Sequence, residues 1–345
     1  MAFDQLQSVV ATLASDIASG PIVPTVAPHE IRGYLGSRYD FTKPMALDDV
    51  TADVERMMRK WQVQVTHPRY FGLFNPSVTL ASVIADTLVA MYNPQLAAWR
   101  TSPAANEIER HTLAWLTAKF GLPATTSASF TTGGAEANLS AVIVALTRAF
   151  PEYGEGGLRS LSASPTDLPD PREAHDSFNK IAHMTGIGRA GAAHGRDRPR
   201  SEDGSRGSRA TGGRGSAERA RAGHGRRHRR DHGRGRDRSR CRIWRGSAGR
   251  RSCGFTSTRR GAAPAILSPR LRGHLAGIDA ADSITCDAHK WFSVPMGAGM
   301  FFCRHPDAVG EAFRAQTSYM PGQDRTGRSS IPTRPRCSGR AGSSA

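Results

Sequence analysis

Six consecutive residues, Asp287-Ala288-His289-Lys290-Trp291-Phe292, carry the most reactive grouping in this 345-residue chain. They follow a stretch, Ser283–Asp287, that reads as a strand, and precede a second, Gly299–Cys303. A lysine just past a strand end, between a histidine and two aromatic residues, is shielded from bulk water. Shielding favours the neutral amine, and a neutral amine can attack a carbonyl carbon to form a Schiff base. The same residue could equally be an ion-paired lysine at a strand end, and spacing alone leaves both open. A second grouping, Thr131-Thr132-Gly133-Gly134-Ala135-Glu136-Ala137-Asn138-Leu139, sets two glycines between a strand and a helix. Small residues there let backbone N–H groups approach an anion at a helix N-terminus. Taken alone, such a turn is also an ordinary strand-to-helix connection. His175, in Ala174-His175-Asp176-Ser177, reads by itself as a surface residue.

These groups need a scaffold, and the first half of the chain supplies its pattern. Residues 46–63 predict an amphipathic helix with Val50, Val54, Met57, Met58 and Trp61 on one stripe. Residues 77–91 predict another, with Val78, Leu80, Val83, Ile84, Leu88 and Met91 at three- and four-residue steps. A third begins at Ser102, which can cap, and Pro103, which suits the first helical position. Ile108, Trp115, Leu116 and Phe120 line its face before Gly121 and Pro123 end it. Residues 128–132 read as a strand entering Gly133-Gly134, and the following helix sets Leu139, Val142, Ile143, Leu146 and Phe150 at core spacing. A strand, glycine turn and helix in that order predict a parallel, helix-covered sheet.

The longer string around the lysine is more specific. Ser283, Ile284, Lys290, Trp291, Phe292, Met296, Ala298, Phe301 and Arg304, at their intervals, resemble the cofactor-attachment signature of the group II pyridoxal-phosphate-dependent amino-acid decarboxylases. That family includes aromatic-amino-acid, glutamate, histidine, tyrosine and diaminobutyrate decarboxylases. Three further stretches resemble it in the same order: His67-Pro68-Arg69-Tyr70-Phe71 through Leu116-Thr117, the Gly133-Gly134 turn, and the His175 segment. The resemblance implies an α/β protein, the pyridoxal-phosphate fold-type I large domain, with a mostly parallel sheet covered by helices. It implies pyridoxal 5'-phosphate as cofactor, Lys290 as the lysine that takes its aldehyde, and His175 stacked on its ring. Gly133, Gly134 and Ala135 would hold the phosphate, assisted by Asp287 and His289, with Phe74 and Asn75 near the substrate side chain. The implied reaction converts an L-amino acid to its amine and CO₂ in an obligate homodimer with its active sites at the interface.

Family members also carry a His-Val-Asp-Ala-Ala strand, whose carboxylate meets the pyridine nitrogen, and another strand near Val-Val-Ala-Thr-Ala-Gly-Thr-Thr. Neither is in this sequence; residues 191–260 stand in their place. With GC-rich codons assumed, residues 254–261 read in a shifted frame give Phe-His-Val-Asp-Ala-Ala-Trp. Residues 222–232 give Pro-Val-Met-Val-Val-Ala-Thr-Ala-Gly-Thr in another frame. Residues 331–340 can give Asp-Pro-Tyr-Thr-Thr-Thr-Leu-Gln-Trp-Ser, like the family's mobile catalytic loop. Three recoveries in the family's order predict a decarboxylase sequence with more than one frame disruption, and impaired activity for the chain as it stands.

Charge sets the remaining bounds. The net charge is +17, but residues 196–260 hold 22 Arg, no Lys and 6 acids, and residues 321–345 hold 5 Arg and 1 acid. The rest carries 20 bases and 23 acids, as an ordinary slightly acidic enzyme does. An Arg-rich block could be a nucleic-acid arm, but Trp244 and Phe255 are its only aromatics for stacking, and it interrupts a sheet. Transamination on the same cofactor is the other alternative. No run is apolar enough to span a membrane, no secretory leader begins the chain, and five cysteines without a CxxC predict a reduced, cytoplasmic setting with neither disulfides nor a metal site. The expected organisation is a helical segment over 1–60 and the first part of the large domain over 61–190. An out-of-frame, disordered Arg/Gly-rich stretch follows over 191–260, then the lysine-bearing part over 261–320 and an out-of-frame tail over 321–345.

Overall fold

A computed structural model describes residues 12, 15–72, 76–161, 177–189, 240–242, 255–258 and 263–314. His175, Phe74 and Asn75 lie outside the described residues, as do most of 191–260 and all of 321–345. Among the described residues the helices of seven residues or more are α1 (Pro28–Arg38), α2 (Leu47–Trp61), α3 (Leu80–Tyr92), α4 (Pro103–Lys119), α5 (Gly134–Ala149), α6 (Ser177–Met184) and α7 (Pro306–Ala312). The strands are β1 (Ser127–Thr131), β2 (Arg240–Arg242), β3 (Phe255–Thr258), β4 (Ser283–Asp287) and β5 (Gly299–Cys303).

The strands form one sheet in the order β1-β5-β4-β3-β2. Among the described residues β3 and β4 pair in parallel, and the other three pairings are antiparallel. The reason is local. The connection from β4 to β5 contains no crossover helix, so β5 returns beside its predecessor in the opposite sense. Because β5 lies antiparallel to both β1 and β4, these two point the same way and end at the same edge. β2 and β3 fall inside 191–260; strands of three and four residues are too short to show a hydrophobic period.

β4 and β5 are buried along their whole length, and their side chains alternate between two layers. Ile284, Cys286, Met300 and Phe302 pack with Leu113, Leu116 and Phe120 of α4 and with Leu275 and Ile278. Phe301 and Cys303 pack on the other face against Ala137, Ala141 and Val144 of α5. α5 also buries Val142, Leu146 and Phe150 against Phe178, Ile181 and Ala182 of α6.

Two expected faces and one expected cap differ from those observed. In α4 the sheet covers Leu113, Leu116, Thr117 and Phe120, whereas Ile108 and Trp115, seven residues apart on a neighbouring stripe, are exposed. Ser102 precedes α4 as expected, but its hydroxyl makes no cap; its carbonyl accepts from the Asn106 backbone N–H at 3.0 Å. In α3, Leu80, Val83, Ile84, Leu88 and Met91 are all exposed, and Ser82 is its one buried residue.

The N-terminal helices meet around Asp53, which is 2% exposed. The Tyr34 and Tyr39 hydroxyls donate to its carboxylate, and Arg56 and Arg38 pair with it. These hydrogen bonds, Tyr34's first, hold its carboxyl below the ordinary carboxylate value. A carboxyl depressed by folding stabilises above its unfolded pKa, and the gain is lost as pH falls through the folded value. Thermal melts followed by circular dichroism should therefore show acid destabilisation below about pH 4 that is weaker in Asp53→Asn than in the parent chain.

A lysine-centred candidate active site

The face of β4 turned toward α5 carries the residues that build the site. Ser283, Thr285 and Asp287 lie on it at two-residue spacing, opposite the apolar Ile284 and Cys286. Two strand residues advance about 6.6 Å, and four helical residues about 6 Å, so successive turns of α5 stay in step with β4. Gly134 accordingly sits over the Asp287 carboxylate and Asn138 over Thr285. Asn138 is fully buried and satisfied on both sides: its Oδ1 accepts from Thr285 Oγ1 at 2.8 Å, and its Nδ2 donates to Ser177 Oγ at 3.0 Å. This amide fixes α5 to β4 and to the start of α6, two residues after His175 in sequence. The motif string contained Asn138, yet nothing in the sequence announced Thr285 as its partner.

Gly299 of β5 pairs with Thr131 on one side and Asp287 on the other. The turn after β1 and the turn after β4 therefore emerge side by side, at the carboxyl ends of two co-directional strands where α/β folds place ligands. Gly133 and Gly134 stand at the N-terminus of α5, and the His289 ring lies beside Gly133. Backbone N–H groups at a helix start, with no Cβ to block them, form an anion cradle. Glu136 folds back from the first turn of α5, accepting from the Thr132 backbone N–H and hydroxyl, both at 2.6 Å. Ala135, also expected at the cradle, is exposed in that same turn.

Lys290 Nζ lies 2.6 Å from Asp287 Oδ2, with the lysine side chain 23% exposed and the aspartate 4%. Between ligands the lysine is thus the ion-paired residue of the simpler alternative, with its amine at the mouth of the cradle. Asp287 Oδ1 is buried and has no hydrogen-bond partner among the described residues. His289 Nδ1 is 2.8 Å from the Ala298 carbonyl. A carbonyl can only accept, so Nδ1 carries the proton that faces it, and Nε2 is the ring nitrogen left to meet a ligand. Next to Asp287, burial pushes the Cys286 thiol above its ordinary value, and the Asp287 charge adds to the shift, so Cys286 is no nucleophile here. Among the described residues no cluster of three or more His, Cys, Asp or Glu could hold a metal ion. Among them, too, no helix is long and apolar enough to cross a membrane.

An anion cradle beside a partly exposed lysine amine fits a small molecule that carries both a phosphate and an aldehyde. Residues 33–190 and 261–333 match the pyridoxal-dependent decarboxylase conserved domain, and the chain belongs to that family. It is 30% identical over 136 residues to the L-2,4-diaminobutyrate decarboxylase of Rhizobium meliloti (strain 1021), covering 39% of this chain and 26% of that protein. It is 26% identical over 187 residues to an aromatic-L-amino-acid decarboxylase of Catharanthus roseus, covering 52% of this chain and 36% of that one. The chain thus spans about a quarter to a third of these relatives' lengths. The crystal structure of mouse CSAD superposes with a TM-score of 0.69 at 17% identity, covering 93% of this chain and 68% of that one. That of Oryza sativa TDC with pyridoxal phosphate and tryptamine gives 0.70 at 18%, covering 93% and 66%. The fold is therefore that of the fold-type I decarboxylases, and pyridoxal phosphate is the cofactor of the family.

Proposed function

We propose that this chain is the cofactor-binding part of an amino-acid decarboxylase that releases CO₂ from an L-amino acid. The observation that carries the proposal is the convergence, across Gly299, of the Gly133-Gly134 cradle with Asp287, His289 and Lys290. Bound pyridoxal phosphate would supply an electron sink for the pair left when CO₂ departs. The protein's own groups do the rest. Lys290 would be the residue to take the aldehyde, and Asp287 Oδ2 is the acceptor within reach of its ammonium proton. The backbone of Gly133, Gly134 and Ala135 would hold the phosphate with His289, while Asp287, an acceptor only, would act through Lys290 rather than on the phosphate itself. His175 would cover the ring, and Phe74 and Asn75 would meet the substrate side chain.

Frame disruption belongs to this reading. The family match stops at 190 and resumes at 261, although it then runs on to 333, into the segment assigned to the tail. β3 supports it as well. Ser257 and Thr258, where the shifted frame yields aspartate, pair in parallel with Ile284 and Thr285, two residues from Asp287. A chain without that carboxylate is expected to release CO₂ at least about a hundredfold more slowly than a frame-restored chain, the usual loss for one preorganised electrostatic partner. Resequencing of the locus, followed by a CO₂ assay over aromatic and dibasic amino acids, tests both statements. Turnover by the chain as it stands, or codons 191–260 that realign to the family in no frame, would overturn them.

The exposed stripe of α3 supports a homodimer, since a helix with this many bare aliphatic side chains gains by being covered. Sedimentation should give a dimer for the parent chain, and Ile84→Asp with Leu88→Asp should give a monomer. The cytoplasmic setting belongs to the same proposal; Cys286 and Cys303 are free, buried thiols.

A further inference from the structure

The turn that carries Lys290 is tied to a helix from the far end of the sequence. Ser293 closes that turn, its backbone N–H donating to the Lys290 carbonyl at 2.9 Å. Ser293 has φ +56°, the left-handed region that residues with a Cβ seldom occupy. A strained backbone of this kind persists where surrounding contacts over-determine it. The contacts come from α3. The Ser293 carbonyl accepts from the Thr79 backbone N–H at 3.0 Å, and Ser82 Oγ lies 3.3 Å away. The Ser82 hydroxyl has one proton and a nearer acceptor, the Thr79 carbonyl at 2.8 Å, so the Thr79 amide is the constant donor. Thr79 is also the N-cap of α3, its Oγ1 accepting from the Ser82 N–H at 3.2 Å.

The base of the loop is held separately. Ala288 and His289 donate their N–H groups to the Ala298 carbonyl at 2.9 and 3.1 Å. Lys290 thus stands between two anchors, the sheet register on one side and the N-terminus of α3 on the other. Its pairing with Asp287 requires both, because the side chain reaches back toward β4 from a backbone fixed by Ser293.

We propose that Thr79 is a positioning residue for Lys290, acting through the Ser293 carbonyl. As the route by which α3 controls the amine that takes the cofactor, this rests on the reading given above. A weakened contact lets the turn relax toward right-handed φ and carries the amine away from Asp287 and the cradle.

Two substitutions at one position separate the contact from the cap. Thr79→Val keeps the amide and removes the cap; Thr79→Pro removes both, and the native φ of −81° suits proline. The full chain is followed by hydrogen exchange and by the rate at which acetic anhydride labels Lys290 across pH, both read by mass spectrometry without cofactor. Peptides over 288–298 should exchange about tenfold faster in Thr79→Pro than in Thr79→Val, while those over 113–122 stay protected in both, showing that the core is folded. The pH profile of Lys290 labelling should shift only in Thr79→Pro. Ser293→Gly, which keeps the carbonyl and removes the strain, should retain loop protection. Equal exchange or equal labelling profiles in Thr79→Pro and Thr79→Val would overturn the proposal. A parent chain that forms no borohydride-fixed pyridoxal phosphate adduct would sink the cofactor reading alone, since neither readout uses cofactor.

Discussion

Lys290→Ala is expected to abolish covalent capture of pyridoxal phosphate. After mixing with the cofactor and reducing with borohydride, the parent chain should carry the added mass on the peptide containing Lys290. The chain has four other lysines, Lys43, Lys60, Lys119 and Lys180, and the peptide map tells them apart. The alanine chain should carry none at the site, because no other amine stands at the cradle's mouth among the described residues. Lys290→Arg should fail as completely, since a guanidinium does not lose its proton and cannot attack the aldehyde. The pair also separates chemistry from stability. Alanine leaves the Asp287 carboxylate buried without its cation, which should cost about 1–3 kcal/mol after allowance for the partly exposed lysine. Arginine keeps a cation there and should melt close to the parent. Adduct at Lys290 equal to that at the other lysines would refute the assignment.

The second large effect concerns a residue with no functional group. Gly299→Ala should destabilise the chain by about 2–3 kcal/mol, the upper part of the range for forcing a methyl into a packed site. A Cβ at 299 would collide with the Gly133 backbone and with Thr131 Oγ1. Neither side can retreat, because Gly299 is paired with Thr131 on one strand and Asp287 on the other. In a domain of this size the melting temperature should fall by roughly 4–12 °C. Gly134→Ala should be similarly costly, since its Cβ would meet the Asp287 carboxylate. Gly133→Ala is the control: the nearest atom to its Cβ is His289 Cε1 at 3.7 Å, an ordinary contact, and stability should change by no more than about 0.5 kcal/mol. Equal melting temperatures for Gly133→Ala and Gly299→Ala would show that the two turns are not wedged together as described.

β4, β5, α4 and α5 were legible from the sequence to within a residue or so, because each carries its own periodicity and punctuation. Lys290, the glycine turn and His289 were legible because one-dimensional spacing is enough to specify a strand–turn–cradle unit. The contacts that hold them were not. Thr285 meets Asn138 across 147 residues and Ser82 reaches Ser293 across 211, and no local pattern encodes a partner at such separation. The faces of α3 and α4 were misassigned for a related reason. Helical period shows which residues share a stripe but not which stripe another element will cover.

The sequence by itself determined the elements and the chemistry. It set a reactive lysine after one strand and an anion-binding turn after another, in a family whose cofactor needs both. Tertiary structure decided the direction of the sheet, since β5 had to double back after β4. It thereby decided that Thr131 and Asp287 should flank one glycine, which brings the two turns to a single edge. It also decided that the lysine's turn is closed from outside by α3, because the Ser293 carbonyl, left free by its own turn, required a donor that only a distant segment could bring.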